Sequence, residues 1–378
     1  MKISLGKLAL LLLLIHGNGA AFAAPQAENP APGPVQSASL AEQNAPAQLA
    51  LGQTQPQPEP QTLPSLSPGL VLTSQAERME ARNFKRVIVG SRPKLGLALG
   101  GGGARGAAEV GVLKVLEKEG LHFDYVTGTS IGSVIGGFYC LGAKPAEMEE
   151  AFVKGEVMRH FMSVPLWMRL LSVPILLVPR IFGSKEYDGL YKGDVFANYL
   201  MAGMNDRNQK IEDMKIPFAA VALDLNDGKP YMIRGGSLGQ AMQASCAVPS
   251  LRKPVEISGH LFADGGVICN VPVKQCREMG ADIVIAVNID EPFEPQPLSH
   301  FHRIGSVAKR MLDWGLYDID DAQCQMADIT IHPYTKGISL ISTRRKDAIK
   351  GIQAGEEAAT YMLPQLRQVL RDAGITAN

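Results

Sequence analysis

The chain has 378 residues, enough for one large domain or two, and the composition of an ordinary globular protein. Its 37 Lys and Arg balance 37 Asp and Glu, which excludes the basic footprint that nucleic-acid binding needs; no nucleic-acid partner is expected. None of its 5 cysteines (Cys140, Cys246, Cys269, Cys276, Cys324) forms a Cys-x-x-Cys pair or a Cys/His cluster of zinc spacing, and Cys140, Cys246 and Cys269 read as small core residues.

The first stretch departs from a cytosolic pattern. Lys2 and Lys7 precede an apolar run at 8–15, and small residues follow to Ala21-Phe22-Ala23. That order predicts a secretory signal over 1–23, cleaved after Ala23, and too short to span a bilayer stably. The expected location is therefore the periplasm or the medium; an uncleaved anchor is the competing reading. Residues 24–80 are expected to form a disordered linker. Residues 24–70 are rich in Pro, Gln and Ala and carry no aromatic side chain, so they bury too little apolar surface to offset ordering entropy. A single folded domain is expected over 93–378.

In that domain an apolar strand at 95–99 meets Gly100-Gly101-Gly102-Gly103. Ala107, Val110, Leu113 and Leu116 then recur at helical spacing, which predicts a helix over 105–120 ending at Gly120. A second strand at 123–126 leads into Gly128-Thr129-Ser130-Ile131-Gly132 and a helix over 132–141. Residues 151–183 form an apolar segment interrupted by Pro165, Pro174 and Pro179, so it is neither one helix nor a central strand. Two readings stand: a lid or membrane-facing flap carrying Trp167, with interfacial contact through 161–182, or a set of short buried helices. The lid is preferred, because exposed apolar surface marks interaction sites.

Strands are expected again at 218–223 and 231–234, then a helix at 238–246 and an apolar run entering Asp264-Gly265-Gly266. A buried strand follows at 283–289, a helix at 303–326, a last strand at 329–331 and a C-terminal helix at 347–370, kinked at Pro364. The alternation predicts an α/β fold, a three-layer α/β/α sandwich with a largely parallel central sheet.

The chemistry gathers in the turns. A serine hydroxyl is a poor nucleophile until a base takes its proton. On a tight strand-to-helix turn Ser130 would be thrust out, with Gly128 and Gly132 letting the backbone pass and the helix end favouring negative charge. The glycine run exposes backbone N–H groups at the start of a helix, a ready anion site. Residues 101–106 also fit the dinucleotide pattern G-x-G-x-x-G, which needs an acid at the end of the next strand to hold the ribose. Asp124 lies at the wrong end and Ser130 occupies the right one, so an oxyanion hole beside Ser130 is the more economical reading. Arg105 either braces this loop, meets a lipid phosphate or is solvated. The base is harder to choose. His160, His260, His300, His302 and His332 sit in no persuasive turn, and spacing alone does not rank Asp264 above Asp224.

Gly101-Gly102-Gly103-Ala104-Arg105-Gly106, Gly128-Thr129-Ser130-Ile131-Gly132, Ala244-Ser245-Cys246-Ala247-Val248-Pro249 and Ala263-Asp264-Gly265-Gly266, with Asn270-Val271-Pro272 after it, occur in the order in which similar segments occur in the patatin-like phospholipase family. From about residue 94 to 290 the chain resembles that family. The resemblance implies a modified α/β-hydrolase sandwich, no metal and no cofactor, and a Ser–Asp dyad without histidine: Ser130 as nucleophile and Asp264 as base. It implies an oxyanion hole on Gly101, Gly102, Gly103 and Ala104, with Arg105, Gly106, Gly128, Gly132, Gly265 and Gly266 in supporting motif positions. The expected activity is that of an exported lipid acyl hydrolase of phospholipase A or lysophospholipase type acting on membrane lipid. An acyltransferase or thioesterase with the same dyad, and a non-catalytic module for anionic lipid, are the alternatives. Head-group preference and oligomeric state are left open by the sequence.

Overall fold

The computed structural model describes residues 92–164, 168, 187, 189–204 and 206–375. The expected signal, linker and most of the segment 165–183, including Trp167, lie outside the described residues.

Strand β1 (Leu95–Leu99) leads through a 3-10 turn (Gly103–Gly106) into helix α1 (Ala107–Lys118). Strand β2 (Tyr125–Thr129) leads into α2 (Ile131–Leu141), followed by α3 (Pro145–Val153), α4 (Glu156–Phe161) and α5 (Asp194–Ala202). Next come β3 (Phe218–Asp224), β4 (Lys229–Ile233), α6 (Leu238–Ser245), β5 (Val255–Ile257) and β6 (His260–Asp264). The chain closes with α7 (Val273–Glu278), β7 (Ile283–Val287), α8 (Ser306–Gln325), β8 (Ile329–Ile331) and α9 (Arg345–Asp372), which continues through Pro364.

The strands form one 8-stranded sheet of order β5-β6-β3-β2-β1-β7-β8, with β4 also on β3. The run β3-β2-β1-β7-β8 is parallel, as expected; β4, β5 and β6 make antiparallel pairs. Alternation along β1 assigns the faces. Leu95, Leu97 and Leu99 join the main core with α1, α2 and α9, whereas Ala98 joins Val273 and Cys276 of α7 in a smaller one. Helices thus cover both faces, and the motif-bearing turns follow the ends of β1 and β2.

The start of the segment expected as a lid packs as short helices instead. Phe152, Val157 and Met158 are buried, Phe161 meets Phe196 edge-on, and His160 stacks on Tyr199. The buried-helix reading therefore holds for 151–161.

Helices α1 and α9 cross closely. A methyl at Gly355 would overlap the carbonyl of Ala108, and one at Gly111 would overlap that of Ile352. Gly355→Ala is therefore expected to lower stability by about 1–3 kcal/mol through overpacking. Gly315→Ala, in α8 with nothing within 4 Å of the new Cβ, is expected to add up to about 1 kcal/mol through helix propensity. Thermal unfolding of both variants checks the contrast.

Candidate active site

The glycine loop leaves β1 with its amides unequally engaged. Gly100 N–H donates to the Val287 carbonyl at 3.1 Å. Gly101 N–H donates to Asn270 Oδ1 at 3.0 Å and lies 3.3 Å from the Asn270 carbonyl. Ala104 N–H donates to the Leu340 carbonyl at 2.8 Å and Arg105 N–H to that of Gly102 at 3.1 Å. Among the described residues, no acceptor meets the N–H groups of Gly102 and Gly103. The expected donor set of Gly101, Gly102, Gly103 and Ala104 is thus corrected: Gly101 and Ala104 hold the loop, and Gly102 and Gly103 keep unspent donors where the chain enters α1. At Gly103, φ is 55° and a Cβ would overlap the Leu340 carbonyl, so the position requires glycine. Arg105 is a brace: its Nε donates to the Ile338 carbonyl at 2.9 Å and Nη2 pairs with Glu291 at 2.9 Å.

Ser130 sits between β2 and α2 at φ 51° and ψ −122°, a backbone conformation that costs a non-glycine residue about 1–3 kcal/mol. Its surroundings hold it there. Ser245 Oγ accepts the Ser130 N–H at 2.8 Å and donates to the Val221 carbonyl at 2.6 Å. Ser133 Oγ donates to the Ser130 carbonyl at 2.6 Å. A side chain at Gly128 would strike the backbone of Gly132, and one at Gly132 the end of β1. The loop and the elbow touch: a Cβ on Gly101 would lie 3.1 Å from Ser130 Cβ.

Sheet register brings Asp264 to Ser130. Thr129 pairs with Val221, and the next residue of β3, Ala222, pairs with Asp264 on the antiparallel β6. Ser130 and Asp264 therefore flank β3 at one level, and Ser130 Oγ donates to Asp264 Oδ2 at 2.6 Å. Gly266 N–H donates to the other oxygen, Oδ1, at 2.8 Å. A Cβ at Gly265 would stand 2.6 Å from the Val221 carbonyl, so the chain turns beside β3 only without one. Burial pushes the Asp264 carboxyl up to about 6, although the hydrogen bonds from Ser130 and Gly266 pull it down. Such a carboxyl is a base near neutral pH, within reach of a hydroxyl proton.

The other candidates are occupied elsewhere. His260 Nδ1 lies 2.6 Å from Asp224 Oδ2, and Asp224 Oδ1 accepts the Asn226 N–H at 2.9 Å. Asp124, the acid weighed for a dinucleotide site, binds Arg92 and the Leu95 N–H near the start of β1. Among the described residues no cluster of His, Cys, Asp or Glu could hold a metal ion, and the cysteines are unpaired.

Ser245 and Asn270 are legible in the sequence only as motif members without a role. Asn270 Nδ2 lies 3.4 Å from the Gly101 carbonyl, 3.0 Å from Asp290 Oδ2 and 3.3 Å from Asp320 Oδ2, while its Oδ1 takes the Gly101 N–H. Burial and the neighbouring Asp290 hold the Asp320 carboxyl far above the usual carboxylate range. This buried network anchors the glycine loop from behind.

Residues 97–277 match the family described as Patatin-like phospholipase. The chain is 32% identical over 216 residues to an uncharacterized NTE family protein of Mycobacterium bovis, covering 56% of this chain and 53% of that protein. It is 28% identical over 230 residues to Lysophospholipase NTE1 of Yarrowia lipolytica, covering 60% of this chain and 15% of that protein. The chain thus spans about half, or much less, of the curated relatives it matches. Among solved structures, VipD from Legionella pneumophila aligns over 76% of this chain and 73% of that one, with a TM-score of 0.40 and 13% identity. The span matched by the family opens inside β1 and closes inside α7, so that it takes in the glycine loop, the elbow and Asp264; over that span the chain is similar to the patatin-like phospholipase family.

Proposed function

We propose that the chain is a lipid acyl hydrolase of phospholipase A or lysophospholipase type, exported after cleavage behind Ala23, that works through Ser130 and Asp264. Asp264 takes the Ser130 proton as Oγ attacks an ester carbonyl. The N–H groups of Gly102 and Gly103 receive the oxyanion, and Asp264 returns the proton to the leaving oxygen. Water, deprotonated by Asp264, then attacks the acyl carbon, and Asp264 returns that proton to Ser130 Oγ as the fatty acid leaves. What carries the reading is the 2.6 Å hydrogen bond between Ser130 and Asp264 beside a loop with two unspent amides. The match of residues 97–277 to the patatin-like phospholipase family and the lysophospholipase among the relatives support a lipid ester as the substrate.

The test is fatty-acid release from phospholipid vesicles by protein recovered from the periplasm or medium, whose first residue is expected to be Ala24. Release by the wild type and none by Ser130→Ala is the expected result. Equal release by both would overturn the reading. Because Asp264 must be ionised to act as a base and titrates at about 6, kcat/KM is expected to climb with pH through a midpoint near that value. A flat profile from pH 5 to 8 would remove Asp264 from the proton transfer.

A further inference from the structure

Helix α8 is long but barely embedded. Only Ser306 and Asp320 are buried along its length. Its C-terminal half is fastened to the sheet. Gln323 Oε1 accepts the Lys274 N–H, Cys324 Sγ lies 3.7 Å from Asn288 Nδ2, and Asp320 meets Asn270 behind the glycine loop. Cys324 meets Asn288 directly after β7, and Asp328 N–H, just past the helix, donates to the Val284 carbonyl near the start of β7 at 3.0 Å, so α8 runs antiparallel to β7, with residue 320 already level with the rim that carries Gly101 and Ser130. The residues before 320 therefore continue past that rim. At ~1.5 Å per residue, Val307 lies roughly 20 Å further along the axis.

This projecting half carries an apolar stripe. Val307, Met311 and Trp314 follow one face at i, i+4 and i+7, with Ile304 and Leu298 just ahead of the helix. Their exposures are 54, 70, 52, 101 and 84% in that order. Trp314 is backed by Phe293 at 5.3 Å, which in turn lies under the Arg310 guanidinium at 3.4 Å, so the arm is stiffened at its root. Residues 298–317 hold Arg303, Lys309 and Arg310 against one acid, Asp313, which pairs with Lys309 at 2.6 Å and leaves Arg303 and Arg310 in excess, while Asp318, Asp320 and Asp321 fall on the fastened half. Apolar side chains with a basic excess, standing beyond the rim of the candidate site, match an anionic bilayer surface in both polarity and charge.

We infer that residues 298–317 form an interfacial arm that seats the chain on an anionic phospholipid bilayer, with Ile304, Val307, Met311 and Trp314 entering the headgroup region. The inference rests on the hydrolase reading for the nature of the surface, and its readout is binding, which does not require turnover. The full chain, as Ser130→Ala to keep the lipid intact, is sedimented with phosphatidylcholine vesicles with and without phosphatidylglycerol. Partition onto the phosphatidylglycerol vesicles is expected, and Ile304→Asp and Met311→Asp are each expected to lower it about tenfold or more, since each moves a charge into the apolar layer. Arg303→Glu is expected to weaken partition only where phosphatidylglycerol is present.

In the Ser130 protein, Ile304→Asp and Met311→Asp are expected to leave hydrolysis of a soluble short-chain ester unchanged while vesicle hydrolysis falls. Partition by the two Asp variants equal to that of their parent would overturn the inference, as would a parent that stays off both vesicles. The inference also fails if the substitutions dissociate a dimer in sedimentation velocity and leave partition intact, which would make the stripe a contact between copies. Loss of all ester hydrolysis in the wild type would strike the hydrolase reading alone and leave the partition result standing.

Discussion

Asp264→Asn is expected to lower kcat/KM about a thousandfold or more while making the fold more stable at neutral pH. The first effect is loss of the base: an amide cannot take the Ser130 proton, and what is left is the help of binding and the oxyanion donors. The second follows from linkage. The folded chain holds the Asp264 proton up to about 6, whereas an unconstrained aspartate releases it near 3.8. Between those values the native state binds more protons than the unfolded one, so stability falls as pH rises through that window. A displacement of that size corresponds to about 3 kcal/mol at most. Asparagine never ionises and escapes that loss. Its Oδ1 can still accept from Gly266 N–H, and its Nδ2 can face Ser130 Oγ, so the local geometry survives. Urea unfolding at pH 4 and pH 7 separates the cases: the variant should gain about 1–3 kcal/mol over the wild type on going from the lower to the higher pH. A variant that loses activity and stability together at pH 7 would mark Asp264 as a structural carboxylate rather than a functional one.

The elements around this site differ in how far the sequence reveals them. The β1 strand and the α1 helix are legible because their apolar positions recur with clean periods, and Ser130 is legible because glycines flank it between a strand and a helix. Gly265-Gly266 directly after Asp264 mark it out, yet spacing does not decide it over Asp224, because both end apolar runs. What separates them is long-range: β6 enters antiparallel and delivers its last residue beside Ser130, while Asp224 is taken by His260. The amide inventory of the glycine loop is equally hidden. Which N–H groups remain unspent depends on Asn270 and on the carbonyl of Leu340, both far along the chain. The buried start of the 151–183 segment shows the limit of hydrophobicity as a guide: Phe152 and Val157 read the same whether they face a core or a membrane.

Asn270→Ala is expected to lower kcat about a hundredfold with little change in KM, because Asn270 positions a donor without touching substrate. Its carboxamide grips Gly101 on both sides, taking the N–H on Oδ1 and approaching the carbonyl with Nδ2. The Gly101 carbonyl and the Gly102 N–H belong to one planar trans peptide and point in opposite directions. Fixing the carbonyl toward Asn270 therefore aims the Gly102 N–H away from it. Asp290 and Asp320, both on Nδ2, fix which end of the amide faces which partner. Alanine removes this grip and leaves a pliant run of glycine, so one oxyanion donor loses its preset direction. Losing such a donor outright costs about a hundred- to a thousandfold. A donor matters most for the charge that develops in the transition state, so the loss should fall on kcat and spare KM. Asn270→Asp provides the sharper comparison. It keeps an acceptor for the Gly101 N–H but sets a third carboxylate against Asp290 and Asp320, and is expected to lose at least as much turnover and to be less stable at pH 8 than at pH 6. Steady-state kinetics on a soluble ester, together with thermal unfolding, test both variants. If Asn270→Ala loses stability but keeps kcat, the network behind the loop is structural only, and the Gly102 donor is held by the glycine backbone without it.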